Sequence, residues 1–354
     1  MRPDLDGTDD GYFPRGRSLL RAVHEERLVG QFYGQRALAI GALDPRNFVG
    51  TIQSSAGRLA PFNRLARTAT AFETVFFGTR VEADRVLALV DRMHQQVRGE
   101  LPVDAGPFAA GTPYSAFDPD LMLWTVAVIA DSAIWFYELF IRRLSDAERE
   151  ELWQEYRRFG ALFGMALDDA PETYAEMRAW WASRFASGEL FLTPEARYTG
   201  RAIALEIPFS RSRQPTKPVH DAVMRGSFPP HVRALYGVEW RSRQRAAFHA
   251  SVGLLRTLRR LAPESASRGR SGPAYELVAQ TERRRLRDGV PTPQVPAPGE
   301  GDRPAGRGGA GGASGGAAGA SGSDGPTGAG SSGYASAVVP SATPGNRSEP
   351  SGSR

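Results

Sequence analysis

Apolar residues recur every three or four positions along most of this chain, the period of a helix that buries one face. From Ser18 to Ala42 they stand at Leu19, Leu20, Val23, Leu28, Val29, Phe32, Leu38 and Ile40, which predicts a first helix. Asn63 to Phe77 reads as a second, closed by Gly78, and Val81 to Arg98 as a third, closed by Gly99. A glycine just past a helix takes the left-handed backbone that other residues resist. Asp118-Pro119-Asp120 opens a fourth helix, with Asp as cap, Pro in the first helical position and an acid near the positive end of the dipole. Ser145-Asp146-Ala147-Glu148 has the spacing of a capping box and opens a fifth, running to about Phe163. A sixth is expected from about Pro171 to Ser187, a seventh after Thr193-Pro194-Glu195, and a last long helix within Arg233 to Leu261. Only Ala204 to Phe209 tempts a strand reading.

The pattern changes from about Pro263. Residues 299–354 are dominated by Gly, Ala, Ser and Pro, and burial there cannot offset the entropy of ordering. The expected organisation is all-α. A flexible N-terminus over 1–16 precedes a single helical domain over 17–262. A linker over 263–298 follows, carrying a short basic helix around Tyr275 to Asp288, and then a disordered tail over 299–354.

Composition narrows the chemistry. The chain has 354 residues, no Cys, five His and a formal net charge of +5. Without Cys there is no disulfide, thiolate-held zinc, iron–sulfur cluster or thiolate-ligated haem. The basic residues are almost all Arg, since Lys217 is the only Lys. The Arg283–Arg287 run has acidic residues interspersed and lacks aromatic residues for base stacking, so no nucleic-acid partner is expected. The start of the chain is acidic and polar, and no window reaches the ~18 uncharged apolar residues of a membrane span. Leu121 to Ile141 comes nearest, but it contains Asp131 and Glu138 and reads as a core helix. A cytoplasmic location is the expectation.

Two helices carry the candidate chemistry. On the third, Ala83, Leu87, Val90, His94 and Val97 share one stripe, which sets an imidazole among apolar side chains. Such a ring is either a core histidine bonded to a backbone carbonyl or a ligand for iron. On the second, Arg64 and Thr68 are four apart and share a face, with Arg67 on a neighbouring one. Two guanidinium groups and a hydroxyl suit propionates or an oxyanion, and they equally suit a solvated helix surface. The other histidines, His24, His220, His231 and His249, have no ligand spacing, and no Gly-x-Ser-x-Gly elbow supports a serine hydrolase.

The order of several short blocks goes further. They are Arg36-Ala37-Leu38, Asp44-Pro45, Arg64-Leu65-Ala66-Arg67-Thr68, Phe77-Gly78, His94-x-x-Val97-Arg98-Gly99 and Tyr114-Ser115-Ala116-Phe117-Asp118-Pro119-Asp120-Leu121-Met122-Leu123-Trp124. Together they resemble the MpaB / rubber oxygenase (latex-clearing protein) family, formerly a domain of unknown function. The resemblance covers roughly residues 17–262. It implies an all-helical fold with a globin-like core. It also implies a b-type haem with one axial histidine, and dioxygen-dependent cleavage or oxidation of a C=C bond in an apolar, isoprenoid-like substrate. By the same resemblance His94 is the metal ligand, and Arg64, Arg67 and Thr68 are cofactor-binding and catalytic pocket residues. Two departures stand out. Many members have His-Pro where this chain has Asp44-Pro45, and Trp-Val-His-Ala where it has Trp124-Thr125-Val126-Ala127. Those missing imidazoles keep open an alternative, a non-catalytic helical binding protein that has lost its cofactor.

Overall fold

In the computed structural model, which describes residues 10–53 and 60–296, the helical period becomes a set of α-helices joined by short connections. The N-terminal residues before Asp10 and the tail expected over 299–354 lie outside the described residues. The first expected helix is two. Ser18 caps α1 (Leu19–Glu25), and α2 (Arg27–Gly41) follows after an extended residue, Glu26. The break has a cause. The Glu26 carboxylate is buried and held by Arg259 at 2.7 Å and Arg268 at 3.0 Å, which pulls that residue out of helical geometry.

Around α2 the core assembles. It packs along α6 (Pro119–Phe140), which Asp118 caps by accepting from the amides of Asp120 and Leu121. α6 is long and apolar enough to cross a membrane by length and composition, but most of that apolar stretch is buried inside the fold. Trp124 is fully buried and its indole N–H donates to the Gly41 carbonyl at 3.0 Å. Burying so large a ring is worth ~3 kcal/mol.

α3 (Pro45–Gln53), α4 (Pro61–Phe77) and α5 (Arg80–His94) follow α2. α7 (Asp146–Leu162), α8 (Tyr174–Ala186) and α9 (Pro194–Leu205) follow α6, opened by capping boxes at Ser145 and Thr173 and by the Thr193 hydroxyl. α10 (Lys217–Ser227), α11 (Pro230–Leu235), α12 (Ser242–Leu261), α13 (Glu264–Ser267) and α14 (Gly272–Arg287) complete the order. The helix expected through Arg98 stops at His94. Arg98–Glu100 (β1) instead pairs antiparallel with Pro113–Ser115 (β2), with Gly99 opposite Tyr114. The long helix expected within Arg233 to Leu261 is α12, and it is separated from α11 by a turn in which Gly237 takes φ +61°. Ala204 to Phe209 is not a strand: its first two residues close α9.

Two segments outside the expected helical domain are built into it. Phe13 is buried with its ring edge against Phe76, and the Tyr12 hydroxyl donates to Asp84 at 2.5 Å. α14 lies along α4, with Tyr275 and Ala279 buried among Phe62, Leu65 and Ala66. The two helices cap each other. Neither has a side-chain cap of its own, since Ala60 precedes α4 and Ser271 makes no capping bond for α14. Glu282 of α14 accepts from the amides of Phe62 at 3.3 Å and Asn63 at 2.8 Å. In return, Glu73 of α4 accepts from the amides of Ser271 at 2.5 Å and Gly272 at 2.7 Å. Each carboxylate therefore sits at the positive end of the other helix.

Candidate functional site

α4 and α5 are joined by Gly78 and Thr79 alone, and Thr79 opens α5 with a capping box completed by Glu82. α5 packs against α4 and ends at His94. Beyond His94 the chain turns, with Val97 N donating to the His94 carbonyl at 3.0 Å, and enters the β1–β2 ribbon. The His94 ring meets Phe117 edge to face at 5.9 Å between centroids. Phe117 is itself backed by Gly164, where an added Cβ would lie 3.1 Å from the ring.

His94 is half-buried, and its Nδ1 is buried with no hydrogen-bond partner among the described residues. It is one of seven such buried side-chain atoms among the described residues and the one imidazole nitrogen among them, and each left unpaired costs ~1–3 kcal/mol. Burial also lowers the imidazole pKa, with nearby Asp91 opposing weakly, so the ring stays neutral near pH 7 and keeps a lone pair.

Arg64 is half-buried too. Its guanidinium donates to the Thr51 carbonyl of α3 and has no carboxylate partner among the described residues. Burial lowers its pKa as well. Arg67 and Thr68 are exposed on α4, and neither side chain makes a bond among the described residues. All three share the side of α4 away from α14, because α14 occupies the opposite side through Phe62, Leu65 and Ala66. The structure thus presents an open α4 surface bearing Arg64, Arg67 and Thr68, with His94 at the end of the neighbouring helix.

The positions where the resemblance expects imidazoles are structural here. Asp44 is fully buried. It accepts from the amides of Arg46 and Asn47 at the start of α3, and from Arg184 at 2.6 Å. Val126 is core, packed so tightly that a Cβ added at Gly160 would lie 3.0 Å from it. Sequence reasoning set aside His24, and the structure gives it a clear place. It is buried, stacked on Phe76 at 4.2 Å, and its Nε2 lies 2.8 Å from the Tyr156 hydroxyl. Burial pushes its pKa down to about 3. A cleft of about 550 Å³ opens among Arg15, Arg21, Phe77, Glu264 and Arg268, and none of the four predicted site residues lines it.

Among the described residues no three His, Asp or Glu side chains are arranged to hold a metal ion. A bare ion would need three or four protein ligands. One neutral imidazole with a free nitrogen instead suits iron that arrives with its equatorial ligands already in place, as in haem. The desolvated Arg64 and the exposed Arg67 suit the propionates. On the residues present, a b-type haem fits.

An all-helical domain with a lone neutral imidazole beside an arginine-bearing helix defines the class, and sequence comparison gives the family. Residues 21–257 match the model for the catalytic domain of the ER-bound oxygenase mpaB/B′ and rubber oxygenase, and the chain belongs to that family of oxygenases. An uncharacterized protein of Mycobacterium bovis and another of Mycobacterium tuberculosis are each 25% identical to it over 208 residues, covering 58% of this chain and 78% of theirs. No solved structure matches.

Proposed function

We propose that this chain is a haem-dependent oxygenase acting on an apolar, isoprenoid-like substrate, oxidising or cleaving a C=C bond with dioxygen. The observation that carries the reading is the buried, unpartnered ring nitrogen of His94 in a family of oxygenases. Haem b, when bound, supplies the redox-active iron that dioxygen chemistry requires.

The chain's own residues have distinct tasks in this reading. His94 would hold the haem iron through a neutral ring nitrogen, and the ring's contact with Phe117 sets its orientation. Arg64, held by the Thr51 carbonyl, places a permanent positive charge at one end of the open α4 surface. Arg67 and Thr68 on the same surface add a second cation and a hydroxyl donor. Of these groups Arg64 is held in place, and a fixed positive charge favours negative charge developing on oxygen because it needs little reorganisation as that charge forms. The test is turnover. Haem-supplemented protein incubated with a polyisoprenoid and labelled dioxygen is expected to give carbonyl products carrying the label, and His94→Ala is expected to give none. Equal product from both proteins would overturn the assignment.

A second reading is a binding protein that kept the scaffold and lost the cofactor. Asp44 and Val126 favour it, since both are committed to packing and capping where the resemblance expects imidazoles. Stoichiometric haem in the purified protein excludes it.

A further inference from the structure

α12 carries five arginines and not one acidic residue along Ser242–Leu261. One side of it is used by the fold: Phe248, Ser251 and Val252 are buried, and Arg259 is committed to Glu26. The rest is open. Ala247, Ala250, Leu254, Leu258 and Leu261 follow one another at steps of three and four and form a single exposed stripe. Its leucines protrude, at 48% exposed for Leu254, 52% for Leu258 and 78% for Leu261. A parallel row holds Arg245, His249, Arg256 and Arg260, all exposed. Between the two rows lie Ala246, Gly253 and Thr257, small residues that let a flat partner come close.

The charge is not neutralised locally. Glu239 at one end of α12 is taken by Arg243 at 3.1 Å, and Glu264 at the other is taken by Arg268 at 2.9 Å. Arg256 donates to the Leu139 carbonyl and keeps its charge, and Arg245 and Arg260 have no ion-pair partner among the described residues. A second copy of this chain is a poor occupant, because it would set arginine rows against each other with no carboxylate on either helix. A suitable occupant is anionic and accepts leucines without needing a shaped groove. A bilayer with anionic headgroups meets both conditions over the ~30 Å length of the helix.

We propose that the outer face of α12 docks this protein on anionic membrane surfaces, with Leu254, Leu258 and Leu261 entering the headgroup region and Arg245, Arg256 and Arg260 pairing with lipid phosphates. The full-length protein would be sedimented with vesicles of phosphatidylcholine alone and of phosphatidylcholine with a third phosphatidylglycerol. Strong binding to the anionic vesicles only, weakened by salt, is expected. Leu254→Ser/Leu258→Ser/Leu261→Ser and Arg245→Gln/Arg260→Gln should each weaken it tenfold or more, with circular dichroism and melting unchanged because these side chains are exposed. Equal binding to both vesicle types, no binding, or binding unaffected by both variants would overturn the proposal. So would a leucine-dependent dimer in sedimentation velocity without lipid binding, or an acidic protein partner that competes for this face while vesicles do not.

Discussion

Replacing Glu282 perturbs the start of α4, the helix that carries Arg64. Its carboxylate is fully buried and accepts from two backbone amides that have no local cap, because Ala60 cannot supply one. In Glu282→Ala those donors stay buried and lose their partner. A lost cap costs ~1 kcal/mol, and a buried unsatisfied donor ~1–3 kcal/mol, so a loss of ~2–4 kcal/mol is expected near pH 6. Glu282→Gln behaves differently. Burial pushes the Glu282 pKa up to about 7, with the two amides and Arg283 opposing. A folded-state pKa above the unfolded value means that the protonated form favours the fold. That contribution is complete below about pH 4.5 and is lost as pH rises through about 7. At ~1.4 kcal/mol per pH unit the interval is worth at most ~3 kcal/mol. Urea denaturation from pH 5 to 8.5, with hydrogen exchange at Phe62 and Asn63, is the assay. The difference in stability between wild type and Glu282→Gln should shift toward the variant as pH rises to about 7 and then level off. Parallel profiles for the two proteins, or an unaltered Glu282→Ala, would refute the reasoning.

Three further outcomes are expected. Asp44→Ala removes the buried carboxylate that Arg184 and Arg46 share and a cap of α3, leaving Arg184 with Glu189 alone, and should cost ~2–4 kcal/mol in chemical denaturation. The His24 pKa, pushed down to about 3 by burial, means the unfolded chain takes up a proton near pH 6.5 that the folded protein refuses. Stability should therefore fall as pH drops below about 6.5, and His24→Phe should flatten that limb in a pH-resolved melt. Gly200→Ala would place a Cβ 2.3 Å from the Tyr236 hydroxyl, which bonds to the Ala39 carbonyl at 2.6 Å. A loss of ~1–3 kcal/mol is expected from calorimetry.

The helices and their caps were legible because they are local. Asp118-Pro119, Ser145 with Glu148, and Thr193-Pro194 act over three or four residues and stand where the spacing puts them. What sequence pattern missed depends on partners far away in the chain. The break at Glu26 is made by Arg259 and Arg268, and the caps of α4 and α14 are exchanged between Glu282 and Glu73. β1 is too short for a period, and α3 follows the acidic Asp44 cap with few large apolar residues. At the site, the stripe containing His94 marked a partly buried ring, and the four-residue step marked Arg64 and Thr68 as sharing a face. No spacing rule could show that the His94 Nδ1 lacks a partner, or that Asp44 is spent on Arg184, since both facts arise from tertiary packing.

The most direct measurement is the absorption spectrum of purified full-length protein titrated with haem b, alongside His94→Ala. The account predicts a Soret band that saturates at one haem per chain and that is lost or shifted in the variant. Spectra that superimpose, or haem that fails to bind the parent at all, would contradict it.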